Sequence, residues 1–109
     1  MQALVEGSKR RFESGLTADL RNSYGLRKAG NAQSDEDFVA TEVRCAVASG
    51  IVEQDDIRDY VTASWLVGCP ITQFWPAALT LLANPNYARS YCAQRLLAVA
   101  KAAQGNDHD

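Results

Sequence analysis

The stretch EQDDIRDYV contains Asp55-Asp56-Ile57-Arg58-Asp59, three carboxylates within five residues. On a helix, Asp55 and Asp59 stand four positions apart and share one surface. Carboxylates so placed are hard oxygen donors, and with magnesium they can hold a diphosphate. That chemistry asks for more than three aspartates. It needs a second set of metal ligands across a deep cavity, and cations to meet the phosphates. The other acidic run, Asp35-Glu36-Asp37, opens a helix instead of facing inward from its middle. Arg58 stands three residues from Asp55, where it can partly neutralise it. A 109-residue bundle also lacks room for a large substrate cavity beside its core. The stretch therefore reads as an acidic first turn set against the positive end of a helix dipole. A small metal-dependent enzyme using Asp55, Asp56 and Asp59 remains the alternative.

Other reactive groups are sparse. His108 is the sole histidine and stands next to the last residue given, so nucleophile systems built on a histidine base find none within the folded region. Cys45, Cys69 and Cys92 form no CxxC pair and are odd in number, which argues against a disulfide framework or a zinc site. The expectation is reduced thiols, with Cys45 and Cys92 buried and Cys69, before Pro70, the most accessible. Glycines 7, 15, 25 and 30 are scattered and form no phosphate loop. No catalytic residue, cofactor or metal is assigned. The aromatic step Phe74-Trp75 is more informative. It falls on a connector between Pro70 and Pro76, where neither helical nor strand periodicity sends two adjacent rings inward. An exposed ring there would make an interface anchor. Core packing of both rings is one reading; the other exposes at least one as an anchor, in the form tested Trp75 outward and Phe74 inward, with Asp55, Asp56 and Asp59 as a charged flank to the same surface.

These residues must be positioned by helices. Strand patterns are almost absent, and apolar residues recur at spacings of three and four. A first helix spans about residues 3–24, with Val5, Phe12, Leu16, Leu20 and Tyr24 near one stripe. Residues 25–33 read as a linker. Ser34 is the N-cap of a second helix, whose inward stripe is Val39, Val43, Ala46 and Val47, and Gly50 stops it. The third helix opens with Glu53 to Asp56, buries Ile57, Tyr60, Val61, Ser64 and Trp65, and ends at Gly68. A short fourth helix enters at Trp75-Pro76. A fifth runs over about residues 86–103, with Asn84 as its cap and Pro85 in its first turn. The expected fold is all-α, a compact antiparallel bundle of about five helices. Residues 1–104 form a single helical domain, and residues 105–109 a flexible tail.

Composition bounds the partners. Hydrophobic residues make up 47%, enough for a packed core. The net charge of −2 argues against nucleic acid, whose phosphates need an excess of Lys and Arg. Charge is uneven along the chain: +3 over residues 1–33, −6 over 34–60 and +1 over 61–109. No apolar run approaches the roughly 20 residues that span a bilayer, and Met1 to Val5 is too short for a secretory leader. A cytoplasmic protein that binds another protein is expected, with a homo-oligomer as a further option.

The DDxxD form resembles the aspartate-rich motif of isoprenoid synthases, with the shortfalls given above. A longer series covers most of the chain. It comprises Phe12…Leu20-Arg21, Val43…Ala46…Gly50-Ile51, Asp56-Ile57…Tyr60-Val61…Gly68…Phe74, Trp75-Pro76-Ala77…Leu82 and Arg89…Arg95-Leu96-Leu97. This series resembles small helical proteins encoded beside effector genes in bacterial type VI secretion loci. In those relatives the aromatic-proline order often reads Pro-Trp, whereas here it is Trp75-Pro76. The resemblance implies a cytoplasmic, non-enzymatic accessory, an adaptor or chaperone for a type VI secretion effector. An immunity protein that neutralises a cognate toxin is the near alternative. The resemblance carries over no catalytic residue.

Overall fold

A computed structural model describes residues 6–25 and 34–105, and these are all-α. Six helices follow one another: α1 (Glu6–Tyr24), α2 (Asp35–Ala48), α3 (Gln54–Val67), α4 (Ile71–Phe74), α5 (Ala77–Ala83) and α6 (Arg89–Gly105). Residues 1–5, 26–33 and 106–109 lie outside the description, and with them the expected start of the first helix, most of the linker, the end of the tail and His108. No helix among the described residues is long and apolar enough to cross a membrane.

The centre of the fold is α3. Its residues Tyr60 to Leu66 are buried on every side, which an amphipathic surface helix could not do. One face meets α6 through Cys92, Ala93, Leu96 and Ala100, spaced three and four apart. The small side chains of α6 let the two axes approach closely. Ser90 at the start of α6 donates to Asp56 at the start of α3, so the two helices run in the same direction. Another face meets α2 through Phe38, Val39, Val43 and Ala46. Leu16 and Leu20 of α1 join the same core, with Phe12 packed against it. Trp65 carries its indole nitrogen into this core without a hydrogen-bond partner. Leaving that donor unpaired costs about 1–3 kcal/mol. Burying the ring offsets it, since about 200 Å² of aromatic surface contributes about 5 kcal/mol, and the Phe38 ring meets it edge-on at 6.5 Å.

The helix ends follow from local chemistry. Ser34 has extended backbone, and its hydroxyl accepts from the Asp37 amide at 3.1 Å. Arg21 in the last turn of α1 then pairs with Asp35 at 3.0 Å and Glu36 at 3.4 Å, joining that end to the start of α2. Gly68 ends α3 at φ +80°, and its amide donates to the Ser64 and Trp65 carbonyls. That left-handed conformation costs a residue with a Cβ about 1–2 kcal/mol.

Three expectations are corrected. The connector after Pro70 contains an extra turn of helix, α4, so there are six helices among the described residues, not about five. The last helix begins at Arg89 instead of residue 86. The Asn84 side chain accepts from the Asn86 amide at 2.9 Å, so Asn84-Pro85 makes a turn, not a helix cap. In α2, Cys45 and Val47 point outward. The buried stripe is Val39, Glu42, Val43 and Ala46, and the slot given to Val47 is held by Glu42.

Two glycines in helical surroundings should respond oppositely. Gly15 lies inside α1 with no atom near where a Cβ would stand. Gly15→Ala should raise stability by about 0.5–1 kcal/mol, and Gly68→Ala should lower it by about 1–2 kcal/mol. Urea midpoints of the two variants check this. A rise for Gly68→Ala would contradict its capping role.

Candidate functional site

The three aspartates of the opening motif point to different surroundings. Asp55 is exposed at the start of α3. Asp56 is buried and accepts the Ser90 hydroxyl at 2.8 Å, a bond that fixes α6 against α3. Asp59 is half-buried, and its carboxyl is pushed above the usual range by that burial and then by repulsion from Asp56 and Asp55; Lys101 and Arg58 pull it partly back. Arg58 reaches away from Asp55, the partner expected for it, and its guanidinium pairs with Asp19 of α1 at 3.1 Å. The long arginine spans to the neighbouring helix, which a spacing argument confined to α3 does not capture. Among the described residues no group of three or more His, Cys, Asp or Glu is arranged to hold a metal ion.

The aromatic step is inverted relative to expectation. Phe74, the last residue of α4, is 45% exposed, whereas Trp75 is half-buried against the core. The backbone gives the reason. The Trp75 amide donates to the Ile71 carbonyl at 2.8 Å, which closes the α4 turn. Trp75 then leaves helical geometry at φ −131°, ψ 88°. The start of α4 is anchored deeper, where the Ile71 amide donates to Ser64 Oγ at 2.9 Å. Ser64 lies nine residues from Asp55, about 14 Å along the helix axis. The aspartates and the aromatic step thus sit at opposite ends of α3 and not on one surface.

Sequence reasoning missed Glu42. It is mid-helix and only 1% exposed. Ser64 Oγ donates to Glu42 Oε1 at 2.8 Å while accepting from the Ile71 amide, so one hydroxyl joins α2, α3 and the start of α4. Burial pushes the Glu42 carboxyl above the usual carboxylate range, and the Ser64 bond pulls it partly back. Glu42 in turn reinforces the effect of burial on its neighbours. The Tyr60 phenol and the Cys45 and Cys69 thiols are all raised, first by desolvation and then by Glu42. The signal was present in the sequence: Glu42 stands three after Val39 and four before Ala46, on the apolar stripe itself.

The thiols divide differently from expectation. Cys92 is buried as expected, Cys69 is half-buried, and Cys45 is exposed. Tyr87 and Tyr91 are 41% and 47% exposed. Their rings lie 5.2 Å apart.

Comparison with protein-family models, with curated proteins and with solved structures gives no match.

The raised carboxyl of Glu42 has a signed consequence. A folded-state value above the ordinary one near 4.5 means that the unfolded chain gives up its proton first as pH rises. The contribution of Glu42 to stability is therefore full below that ordinary value. It falls as pH climbs from there and is lost once pH passes the raised value. Glu42→Gln keeps an acceptor for Ser64 and removes the titration. The urea midpoint of Glu42→Gln relative to the wild type should rise between pH 4 and pH 8. A constant difference across that range would show that Glu42 titrates like a solvent carboxylate.

Proposed function

We propose that this chain is a non-enzymatic, cytoplasmic protein-binding accessory. The observation that carries the reading is the exposed Phe74 ring on a short, braced helix. Pro70 and Pro76 bracket the segment, and Trp75 and Ile71 pack inward on either side of the turn. Leu79 of the adjoining α5 is also exposed. A large apolar group held on fixed backbone loses little freedom when a partner covers it, which favours binding. The acidic groups at the far end of α3 already serve the fold, Asp56 through Ser90 and Asp59 beside Lys101. The client class in this proposal, a type VI secretion effector, rests on the sequence resemblance. The adaptor role differs from an immunity role in outcome, since an adaptor leaves its client active.

A photo-crosslinker at Leu79, introduced in the native cytoplasm, would identify the client. Phe74→Ala should then weaken its binding at least tenfold with little change in the unfolding midpoint. Trp75→Ala should cost about 2 kcal/mol of stability through lost packing. Unchanged affinity in Phe74→Ala would remove this surface from the proposal. Abolition of the client's activity on binding would favour the immunity reading.

A further inference from the structure

The segment between Pro70 and Asn84, which carries α4 and α5, is lightly packed. It buries Ile71 in α4 and only Ala78 and Leu82 in α5, with Trp75 and Leu81 partly covered against the core. Its first helical amide, that of Ile71, donates to Ser64 Oγ at 2.9 Å. The one hydroxyl proton of Ser64 goes to Glu42 Oε1, at 2.8 Å. The start of the segment is thus one hydroxyl away from a carboxyl that is 1% exposed.

Among the described residues, the groups on which the charge of Glu42 acts are Cys45 of α2, Tyr60 of α3 and Cys69 in the turn after α3, none of them a cation. Tyr60 is bonded in turn to Thr72 of α4. Arg44 of α2 is exposed and reaches Thr41, and Arg21 of α1 is held by Asp35 and Glu36. A neutral carboxyl accepts the Ser64 hydroxyl through its carbonyl oxygen and buries no charge. An ionised one is buried without a counter-charge, which is costly.

We propose that Glu42 is a proton-controlled latch on residues 70–84. With the carboxyl neutral, the segment stays closed over α2 and α3. When the proton leaves, the segment opens ahead of the rest of the fold and water reaches the carboxylate. A segment held by few apolar contacts is the one that opens at least cost. The sign follows from burial, which acts on the carboxyl more strongly than the Ser64 bond does. The closed form is therefore favoured fully below the ordinary carboxyl value near 4.5, and that preference is lost as pH passes the raised one. Phe74 rides on the segment, so pH sets how often it stands on fixed backbone. That consequence rests on the reading of Phe74 as the binding surface, and it is reciprocal: a client that binds the closed form draws a proton onto Glu42.

Native-state amide hydrogen exchange on the free chain, corrected for the intrinsic pH dependence of exchange, tests the latch between pH 4 and pH 8. In the wild type, the Ile71, Phe74 and Trp75 amides should exchange through an opening that urea hardly promotes, at lower cost than the core amides of Val61 and Leu96. From pH 4 to pH 8 that opening should become about tenfold more frequent or more, against less than about twofold in Glu42→Gln. Glu42→Met, which also removes the titration, should match Glu42→Gln in this respect. The Ala102 amide, near the end of α6, should show the same pH trend in the wild type and both variants. Exchange of Ile71, Phe74 and Trp75 only together with Val61 and Leu96 overturns the proposal. So does a rise in opening that is as large in Glu42→Gln as in the wild type. The measurement needs no client, so its failure leaves the Phe74 surface standing, and unchanged client affinity in Phe74→Ala leaves the latch standing.

Discussion

The guanidinium of Arg89 donates to four backbone carbonyls, those of Ser49, Leu82, Asn84 and Tyr87, at 2.7–3.1 Å. These are groups that helix ends leave without partners: Ser49 caps α2, and Leu82 and Asn84 close α5. A planar fork with five donors can meet several carbonyls at once, and a single ammonium cannot match that geometry. The arrangement gathers the ends of α2 and α5 and the turn before α6 around one charge. Gly50 fits closely beside it, since a Cβ there would stand 3.5 Å from Arg89 Cδ. With these ends fixed, Ser90 meets Asp56 and α6 lies along α3. Ile71 reaches Ser64 from the other end, so α4 and α5 are suspended between two polar anchors. The short α5 buries only Ala78 and Leu82, and its placement depends on those anchors more than on its own packing.

Local rules made much of this fold legible. Ser34 before three acids, Gly68 after Val67 and Pro76 before Ala77 each mark a helix end through chemistry within a few residues. The periodicity of α3 identified its buried face, although not that the burial surrounds it. What escaped was set by contacts distant in sequence. Arg89 bonds a carbonyl 40 residues away, and Arg58 pairs 39 residues away, so neither role is visible in spacing. Glu42 was hidden by its charge: a carboxylate on an apolar stripe is readily assigned to solvent until a serine 22 residues on supplies its partner. The identity of the outward ring at Phe74-Trp75 depended on where the single turn of α4 closed.

The buried polar groups and the exposed apolar ones divide the molecule along α3. At one end, Glu42, Ser64 and Ile71 hold the connector that presents Phe74. At the other, Arg89, Ser90 and Asp56 hold the surfaces that present Val52, Tyr87 and Tyr91. In each case a charged or polar side chain is used inside the fold, and an apolar one is left outside. Burying the Glu42 carboxyl reduces stability at neutral pH, while its hydrogen bond to Ser64 fixes the position of α4. The two ends differ in position: Phe74 and Leu79 stand on the short helices α4 and α5, whereas Tyr87 precedes α6 and Tyr91 lies in its first turn.

Arg89 fixes three segments together and is not merely a local cap of α6. Native-state amide hydrogen exchange on Arg89→Lys, which keeps the charge and loses the fork, tests it most directly. Protection should fall together at Ser49 to Ile51, at Asn84 and Tyr87, and along α5, while the Ser34 end of α2 and the first turns of α1 keep theirs. Loss of protection confined to the first turn of α6, with Gly50, Ile51 and α5 unchanged, would contradict it.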